Sequence, residues 1–206
     1  MKTLQNGIIK FQQNYFNEHK EVFSELSKGQ KPHTLYIGCS DSRVVPNIIT
    51  KAMPGELFVV RNIGNMVPPY DSDKYQFRCT SSIIEYAVKV LEVDNVVVCG
   101  HSNCGGCKAL YYDEKKLDKI PLVKEWLSLA DEVRDRILKK NLSYEEREFQ
   151  TEQLNVVKQL ENLLTYPFVK ERFEKGELNI VGWYYVIETG DVFDYDLEEG
   201  EFKLIS

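Results

Sequence analysis

Two short segments of this chain hold residue types able to do chemistry. Cys39-Ser40-Asp41-Ser42-Arg43 places a thiol, a carboxylate and a guanidinium within five residues, and His101-Ser102-Asn103-Cys104-Gly105-Gly106 adds an imidazole and a second thiol. Two Cys and one His are donors that zinc takes readily in tetrahedral sites. Three protein ligands leave a fourth position for water or a carboxylate, which separates a catalytic site from a closed structural one. Each residue alone has a plainer reading, Cys39 and Cys104 as core thiols and His101 as a turn residue. Asp41 and Arg43 alone could be a surface ion pair worth ~0–1 kcal/mol. Placed directly after a thiol, the same pair is a device in which arginine pins a carboxylate and keeps it ionised through a two-pronged bond.

The elements around these segments explain how they meet. Thr34–Cys39, Leu57–Arg61 and Asn95–Cys99 are short apolar runs rich in β-branched residues, as expected of strands buried on both faces. Ser82–Val93 between the second and third reads as a crossover helix, with Ser82 and Glu85 spaced as a capping box. Strand, helix and strand in that order predict a parallel βαβ unit. Both reactive segments then lie at C-terminal strand ends, where open α/β sheets place their ligands. After Gly105-Gly106 the spacing predicts helices over Pro121–Lys139 and Ser143–Leu164, the latter with a Ser143/Glu146 capping box. A strand is expected over Asn179–Val186, then a turn at Thr189-Gly190-Asp191 into Val192–Leu197, and a short strand at Phe202–Ile205. The fold class is α/β, a mostly parallel sheet flanked by helices. Residues 3–26 carry apolar positions (Ile8, Ile9, Phe11, Tyr15, Phe16, Val22, Phe23, Leu26) at helical spacing ahead of any strand, the pattern of an arm that packs on a partner subunit.

Composition narrows the class. The 206 residues fit one domain, 43% hydrophobic and 28% charged. The formal net charge of −6 argues against nucleic acid as the partner. No run reaches the ~18 apolar residues of a membrane span, and no secretory core follows the first methionine, so a cytoplasmic protein is expected. Five cysteines make a complete disulfide framework a poor fit and favour metal or catalytic use.

C-S-D-S-R followed some sixty residues later by G-H-S-N-C-G-G resembles the paired signature of β-class carbonic anhydrases. Pro54–Asn62 (PGELFVVRN), Ile84–Val88, Asn162–Val169 (NLLTYPFV) and Gly182–Tyr185 resemble further segments of that family, the last two of its plant-type branch, so the likeness spans nearly the whole chain. It implies four parallel strands with an antiparallel extension over a single domain, 1–206, with residues 1–26 as an arm on the partner subunit. It implies one Zn2+ per chain on Cys39, His101 and Cys104, and catalytic roles for Asp41 and Arg43. It assigns a substrate pocket to Gln30, Phe58, Ile63, Tyr86 and the backbone amide of Gly105, completed across a homodimer or a dimer of dimers. The implied reaction is reversible hydration of carbon dioxide to bicarbonate by zinc-bound hydroxide, with Asp41 and Arg43 orienting the hydroxide. In one branch of the family the aspartate leaves its arginine for the zinc, supported by bicarbonate at a site with Trp three residues before the first Cys. Tyr36 stands there in this chain, although Gly38 and Tyr185 resemble that branch, and the expectation is an Asp41–Arg43 pair at neutral pH.

The remaining candidates have plainer readings. Cys99 reads as core, Cys79 as a helix-entry residue, and Cys107 as a small apolar substitute where the family has an aliphatic residue, although Cys104 and Cys107 form a C-x-x-C. His33, a conceivable proton shuttle, reads as a surface residue. Trp183, Tyr184, Tyr185, Phe193 and Tyr195 read as sheet packing or an oligomer face. Two rival functions stand beside the anhydrase, a non-catalytic zinc or bicarbonate sensor and a thiol redox enzyme using Cys104 and Cys107. Retention of Asp41, Arg43 and the pocket residues argues against the sensor.

Overall fold

The computed structural model describes residues 1–71 and 77–206, which fall into two compact units, Met1–Lys31 and Pro32–Ser206. The first unit is helical nearly throughout: α1 (Lys2–Lys10), a π-helical turn (Phe11–Tyr15), α2 (Phe16–Glu18) and α3 (Lys20–Leu26). Phe11, Phe16 and Phe23 pack ring against ring inside it, yet none of its helical residues is buried. The single helix expected over residues 3–26 is interrupted at His19 (φ −113°, ψ 24°), and the Phe11 and Phe23 rings, twelve residues apart, meet at 5.8 Å, far closer than one straight helix would bring them.

The second unit is built on one six-stranded sheet. In chain order its elements are β1 (Thr34–Cys39), α4 (Pro46–Thr50), β2 (Leu57–Asn62), a 3-10 turn (Ile63–Asn65), α5 (Arg78–Lys89), β3 (Asn95–His101), α6 (Gly105–Ala109) and α7 (Glu114–Leu117). There follow α8 (Pro121–Leu127), a 3-10 turn (Ser128–Ala130), α9 (Asp131–Leu138), α10 (Tyr144–Leu163), α11 (Pro167–Glu174), β4 (Asn179–Tyr185), β5 (Val192–Asp196) and β6 (Glu201–Leu204). The strand order is β2-β1-β3-β4-β5-β6, parallel through β4, with β5 and β6 added antiparallel.

Alternation along the strands sorts the core into two faces. Leu35 and Ile37 of β1 and Val96 and Val98 of β3 point to a cluster with Ile84, Ala87 and Val88 of α5 and Val156, Leu160 and Leu163 of α10. Full burial of each such aliphatic side chain is worth roughly 1.5–3 kcal/mol, which fixes these helices to the sheet. Tyr36, Val97 and Cys99 point the other way and pack with Val181, Trp183 and Tyr185. Of the aromatic C-terminal region, Tyr184 is buried with its ring against Phe149 and Phe202.

The sheet has one more antiparallel strand than a single extension. α5 begins a turn earlier than the Ser82 capping box implied. Phe77, in the left-handed region at φ 59°, caps it, and Ser82 lies inside, its hydroxyl donating to the Cys79 carbonyl while Glu85 pairs with Lys89. The helix expected over Pro121–Lys139 is divided by the Ser128–Ala130 turn. The Ser143/Glu146 capping box forms in full and starts the 20-residue α10. Among the described residues no helix is long and apolar enough to cross a membrane.

Candidate metal centre

β1 and β3 run parallel in adjacent positions, so the register brings their C-terminal ends level: Gly38 pairs with Cys99, and Cys39 pairs with Asn62 of β2. Cys39 ends β1 and His101 ends β3, two residues later than the strand expected from the sequence. Beyond His101 the chain turns at Asn103, which takes a left-handed φ of 57°, and Cys104 caps the N-terminus of α6. Asparagine is among the few non-glycine residues that adopt this conformation readily. Gly106 then lets α6 lie against the 3-10 turn. A Cβ there would stand 3.0 Å from the backbone N and Cα of Gly64 and 3.1 Å from Cγ2 of Ile63.

This path gathers the three side chains. Cys39 Sγ and Cys104 Sγ are 4.0 Å apart, and the donor atoms of Cys39, His101 and Cys104 all lie within 4.8 Å of one another. All three residues are buried, His101 completely. His101 Nδ1 lies 2.9 Å from the Ser102 carbonyl oxygen, which can only accept, so Nδ1 carries the N–H and donates it, leaving the lone pair on Nε2. Nε2 is buried and has no hydrogen-bond partner among the described residues. A fully buried polar atom without a partner calls for an explanation, and here two thiol sulfurs lie within 4.8 Å of it, as a shared metal ion would require.

The donor set suits zinc. Two thiolates on a tetrahedral zinc at Zn–S about 2.3 Å are separated by ~3.8 Å, close to the spacing of Cys39 and Cys104. Cys39 is pushed up to about 12 by its hydrogen bond with Cys104 and by burial. Cys104 is also raised well above the usual thiol value, by its hydrogen bond with Cys107 and by burial. Burial raises the core thiol of Cys99 in the same way, so it is the convergence of the donors that points to a metal, and a cation bound between Cys39 and Cys104 would favour both thiolate forms.

Asp41 lies beside this cluster, its Oδ2 4.0 Å from His101 Nε2. Arg43 holds it with Nε on Oδ1 at 2.9 Å and Nη2 on Oδ2 at 2.7 Å, and the Arg43 backbone N–H adds a bond to Oδ1 at 3.0 Å. The guanidinium keeps the Asp41 carboxyl well below the usual carboxylate range. Arg43 also donates to the Asn103 carbonyl, tying the β1 segment to the β3 segment.

The pocket residues named from the resemblance divide in two. Ile63 follows Asn62 and touches the Gly106 side of α6, and Gly105 begins α6 next to Cys104, so both belong to this end of the sheet. Phe58 and Tyr86 form a ring pair at 5.9 Å, but Phe58 pairs with Leu35, four residues or ~13 Å back along the sheet from Cys39. Gln30 is exposed in the first compact unit. His33 is exposed just before β1, ~20 Å of strand away from Cys39, with Nδ1 on the Thr34 hydroxyl. Cys99 is core, Cys79 is exposed near the start of α5, and Cys107 is buried against Cys39 and Cys104.

Several residues at the site escaped the sequence reading. Arg61 donates to the carbonyls of both Cys39 and Asp41, fixing the turn that carries them. On α10, Glu152, Asn155, Gln159 and Asn162 form a buried polar stripe where an apolar face would be expected. Asn155 donates to the Gly64 carbonyl, Gln159 accepts from Val67 N–H, and Asn162 donates to the Val67 carbonyl. Glu152 accepts from Cys104 N–H and from the Tyr184 hydroxyl, both at 2.8 Å, and burial pushes its carboxyl up to about 7. The signal in the sequence was the 3-4-3 spacing of polar residues interleaved with Val156, Leu160 and Leu163.

A protein-family model described as carbonic anhydrase matches residues 34–192. A carbonic anhydrase of Helicobacter pylori strain J99 is 41% identical over 97% of this chain and 92% of its own length. Among solved structures, that of the β-carbonic anhydrase CcaA superposes with a TM-score of 0.94 at 40% identity, covering 100% of this chain and 99% of that one. A tetrameric β-carbonic anhydrase from the filamentous ascomycete Sordaria macrospora superposes with a TM-score of 0.79 at 28% identity, over 94% of this chain and 97% of that one.

Proposed function

We propose that this chain, which belongs to the β-carbonic anhydrase family and is a zinc-dependent carbonic anhydrase, carries out the reversible hydration of carbon dioxide with Cys39, His101 and Cys104 as its metal ligands and Asp41 and Arg43 as its catalytic pair. The observation that carries this reading is the convergence of two buried thiols on a buried imidazole nitrogen that has no hydrogen-bond partner among the described residues. Bound there, one zinc ion per chain supplies the Lewis acidity that makes water ionisable near neutral pH. The protein's own work is orientation. Asp41, kept anionic by Arg43, is an acceptor only, so it takes a hydrogen bond from the attacking water and turns a lone pair toward the carbon of carbon dioxide. Arg43 fixes the direction of that acceptor through two bonds to the carboxylate and one to the Asn103 carbonyl. Ile63 supplies an apolar wall for carbon dioxide, and the Gly105 amide binds an oxygen of bicarbonate.

Gln30, Phe58 and Tyr86 serve the pocket of a neighbouring subunit in this reading. The distance of Phe58 from its own Cys39 supports that arrangement, as does the 45% exposure of Tyr86. The working unit is then a homodimer, alone or paired as a dimer of dimers, with residues 1–26 as an arm laid on the partner. Exposed Ile8, Ile9, Phe11, Tyr15 and Val22 support the arm's role. Five free cysteines, two of them ligands, support a reducing, cytoplasmic setting. The test is a stopped-flow measurement of carbon dioxide hydration on purified protein alongside its zinc content. One zinc per chain with rapid hydration is expected, and stoichiometric zinc without hydration would overturn the catalytic reading.

A further inference from the structure

Glu152 is the side chain that the zinc-ligand loop leans on, yet it touches neither substrate nor metal in the mechanism above. It projects from α10, 48 residues along the chain from Cys104, and is only 3% exposed. One carboxyl oxygen accepts the backbone N–H of Cys104 at 2.8 Å and the other accepts the Tyr184 hydroxyl at 2.8 Å. Burying a carboxyl is costly unless its oxygens find partners, and here both do. The loop it reaches is anchored on either side of Cys104, by Arg43 at the Asn103 carbonyl and by the packing of Gly106 on Gly64, and Glu152 supplies the bond at the Cys104 N–H itself. α10 is a firm support. A full capping box starts it, and its Val156 and Leu160 are buried in the main core against β3 and β4 residues.

We propose that Glu152 is a positioning residue for the metal centre: by accepting the Cys104 N–H from the rigid α10 helix, it holds the Cys104 sulfur facing Cys39 and His101. This rests on the reading of those three residues as zinc ligands. The role belongs to the acceptor atom rather than to a charge. A glutamine at this place would accept the Cys104 N–H through its amide oxygen and donate to the Tyr184 oxygen, which can turn to accept. Leucine fills similar space and offers no acceptor. Partners that orient metal ligands in this way typically govern metal affinity by 10–100-fold.

The experiment compares zinc affinity, by competition with a chromogenic chelator, and the visible spectrum of the cobalt(II)-substituted protein. Glu152→Leu is expected to bind zinc roughly 10–100-fold more weakly and to alter the sulfur-to-cobalt charge-transfer bands. Glu152→Gln is expected to stay within about threefold of the parent with an unchanged spectrum. If the leucine variant does not fold, Glu152→Asp reads the same point, because its chain is one methylene too short to span from α10 to Cys104, and the same loss is expected. Parental affinity in a folded Glu152→Leu or Glu152→Asp protein, or a Glu152→Gln protein as weak as the leucine one, would overturn the proposal. A parent chain that binds no zinc would instead remove the ligand assignment itself, so the two failures are distinct.

Discussion

Arg43 closes on Asp41 with both prongs of its guanidinium, Nε to Oδ1 at 2.9 Å and Nη2 to Oδ2 at 2.7 Å, while Oδ2 lies 4.0 Å from His101 Nε2. A planar fork of this kind fixes the plane as well as the position of the carboxylate. Lysine would preserve the charge but present a single rotatable point donor. Arg43→Lys is therefore expected to keep its zinc and lower kcat/KM by about 10²-fold, the usual cost of a misplacement near 1 Å. Stopped-flow hydration with zinc analysis on the same sample decides it, and a parental rate in Arg43→Lys would show that orientation of Asp41 does not matter.

The three ligand positions should be separately indispensable, because Cys39 at the end of β1 and His101 and Cys104 at the end of β3 each supply one of the three donor atoms that converge. Cys39→Ser, His101→Ala and Cys104→Ser are each expected to lose most bound zinc and nearly all hydration activity. Cys107→Ser, which exchanges one small buried side chain for another, is expected to keep both. Metal analysis after gel filtration is the measurement. Stoichiometric zinc with normal turnover in Cys104→Ser would make the assignment wrong.

The thiols also predict a proton balance. Cys39 at about 12 and Cys104 well above its usual value are both protonated in the metal-free chain at pH 7. Zinc binds thiolates, so its entry releases two protons, and apparent affinity should rise about 100-fold per pH unit between pH 6 and 8. A raised thiol pKa in the folded state also contributes stability that is present below the ordinary thiol value near 9 and is lost as pH climbs from 9 toward 12. Metal-free parent protein should thus lose more stability between pH 8 and 10.5 than metal-free Cys39→Ala does. Chelator competition across pH, and melting curves of the two metal-free proteins, check the two halves. A pH-independent zinc affinity would show that the thiols are already ionised without metal.

If residues 1–26 lie on a partner, their removal should uncover apolar surface there and cost both assembly and turnover. The arm has a ring cluster of Phe11, Phe16 and Phe23 but no buried residue in its helices. Sedimentation of a 27–206 chain is expected to show a smaller or aggregated species of low activity. A fully active monomer in the intact protein would end the account in which Phe58 and Tyr86 serve a neighbouring site.

Much of this was legible in the sequence because its signals are local. Thr34–Cys39 and Asn95–Cys99 are runs whose β-branched residues fill both faces of a buried strand, and the reactive residues follow them directly. Ser143 and Glu146 satisfy each other within one turn, so spacing alone reveals them. The same spacing at Ser82 and Glu85 misled, because α5 had already started at Arg78 behind Phe77, which caps without a side-chain bond. Nothing in Pro121–Lys139 marks the Ser128–Ala130 break, as no proline or glycine stands there. The bonds that Arg61 and Glu152 make to the site were invisible for a different reason. Their partners are backbone groups of Cys39, Asp41 and Cys104, distant in sequence, and no residue-type pattern records a bond to a backbone.

The approach of α10 to β3 is set by a missing side chain. A Cβ on Gly100 would stand 2.6 Å from Val156 Cγ2 and 3.6 Å from the Glu152 carbonyl oxygen, so the helix lies where any larger residue would displace it. Gly100 immediately precedes His101, and Glu152 is one turn before Val156, so the contact couples core packing to the metal centre. Gly100→Ala is expected to destabilise by about 1–3 kcal/mol, the usual cost of overpacking, and to weaken zinc binding as α10 shifts. Trimming the opposing residue should relieve the clash. The Gly100→Ala/Val156→Ala protein is expected to be less destabilised than the sum of its single variants by about 1 kcal/mol or more, the size of coupling seen between residues in contact. Denaturant unfolding of all four metal-free proteins at one concentration measures it. Single effects that add to within about 0.5 kcal/mol would show that Val156 is not what Gly100 accommodates, and that β3 and α10 owe their spacing to something else.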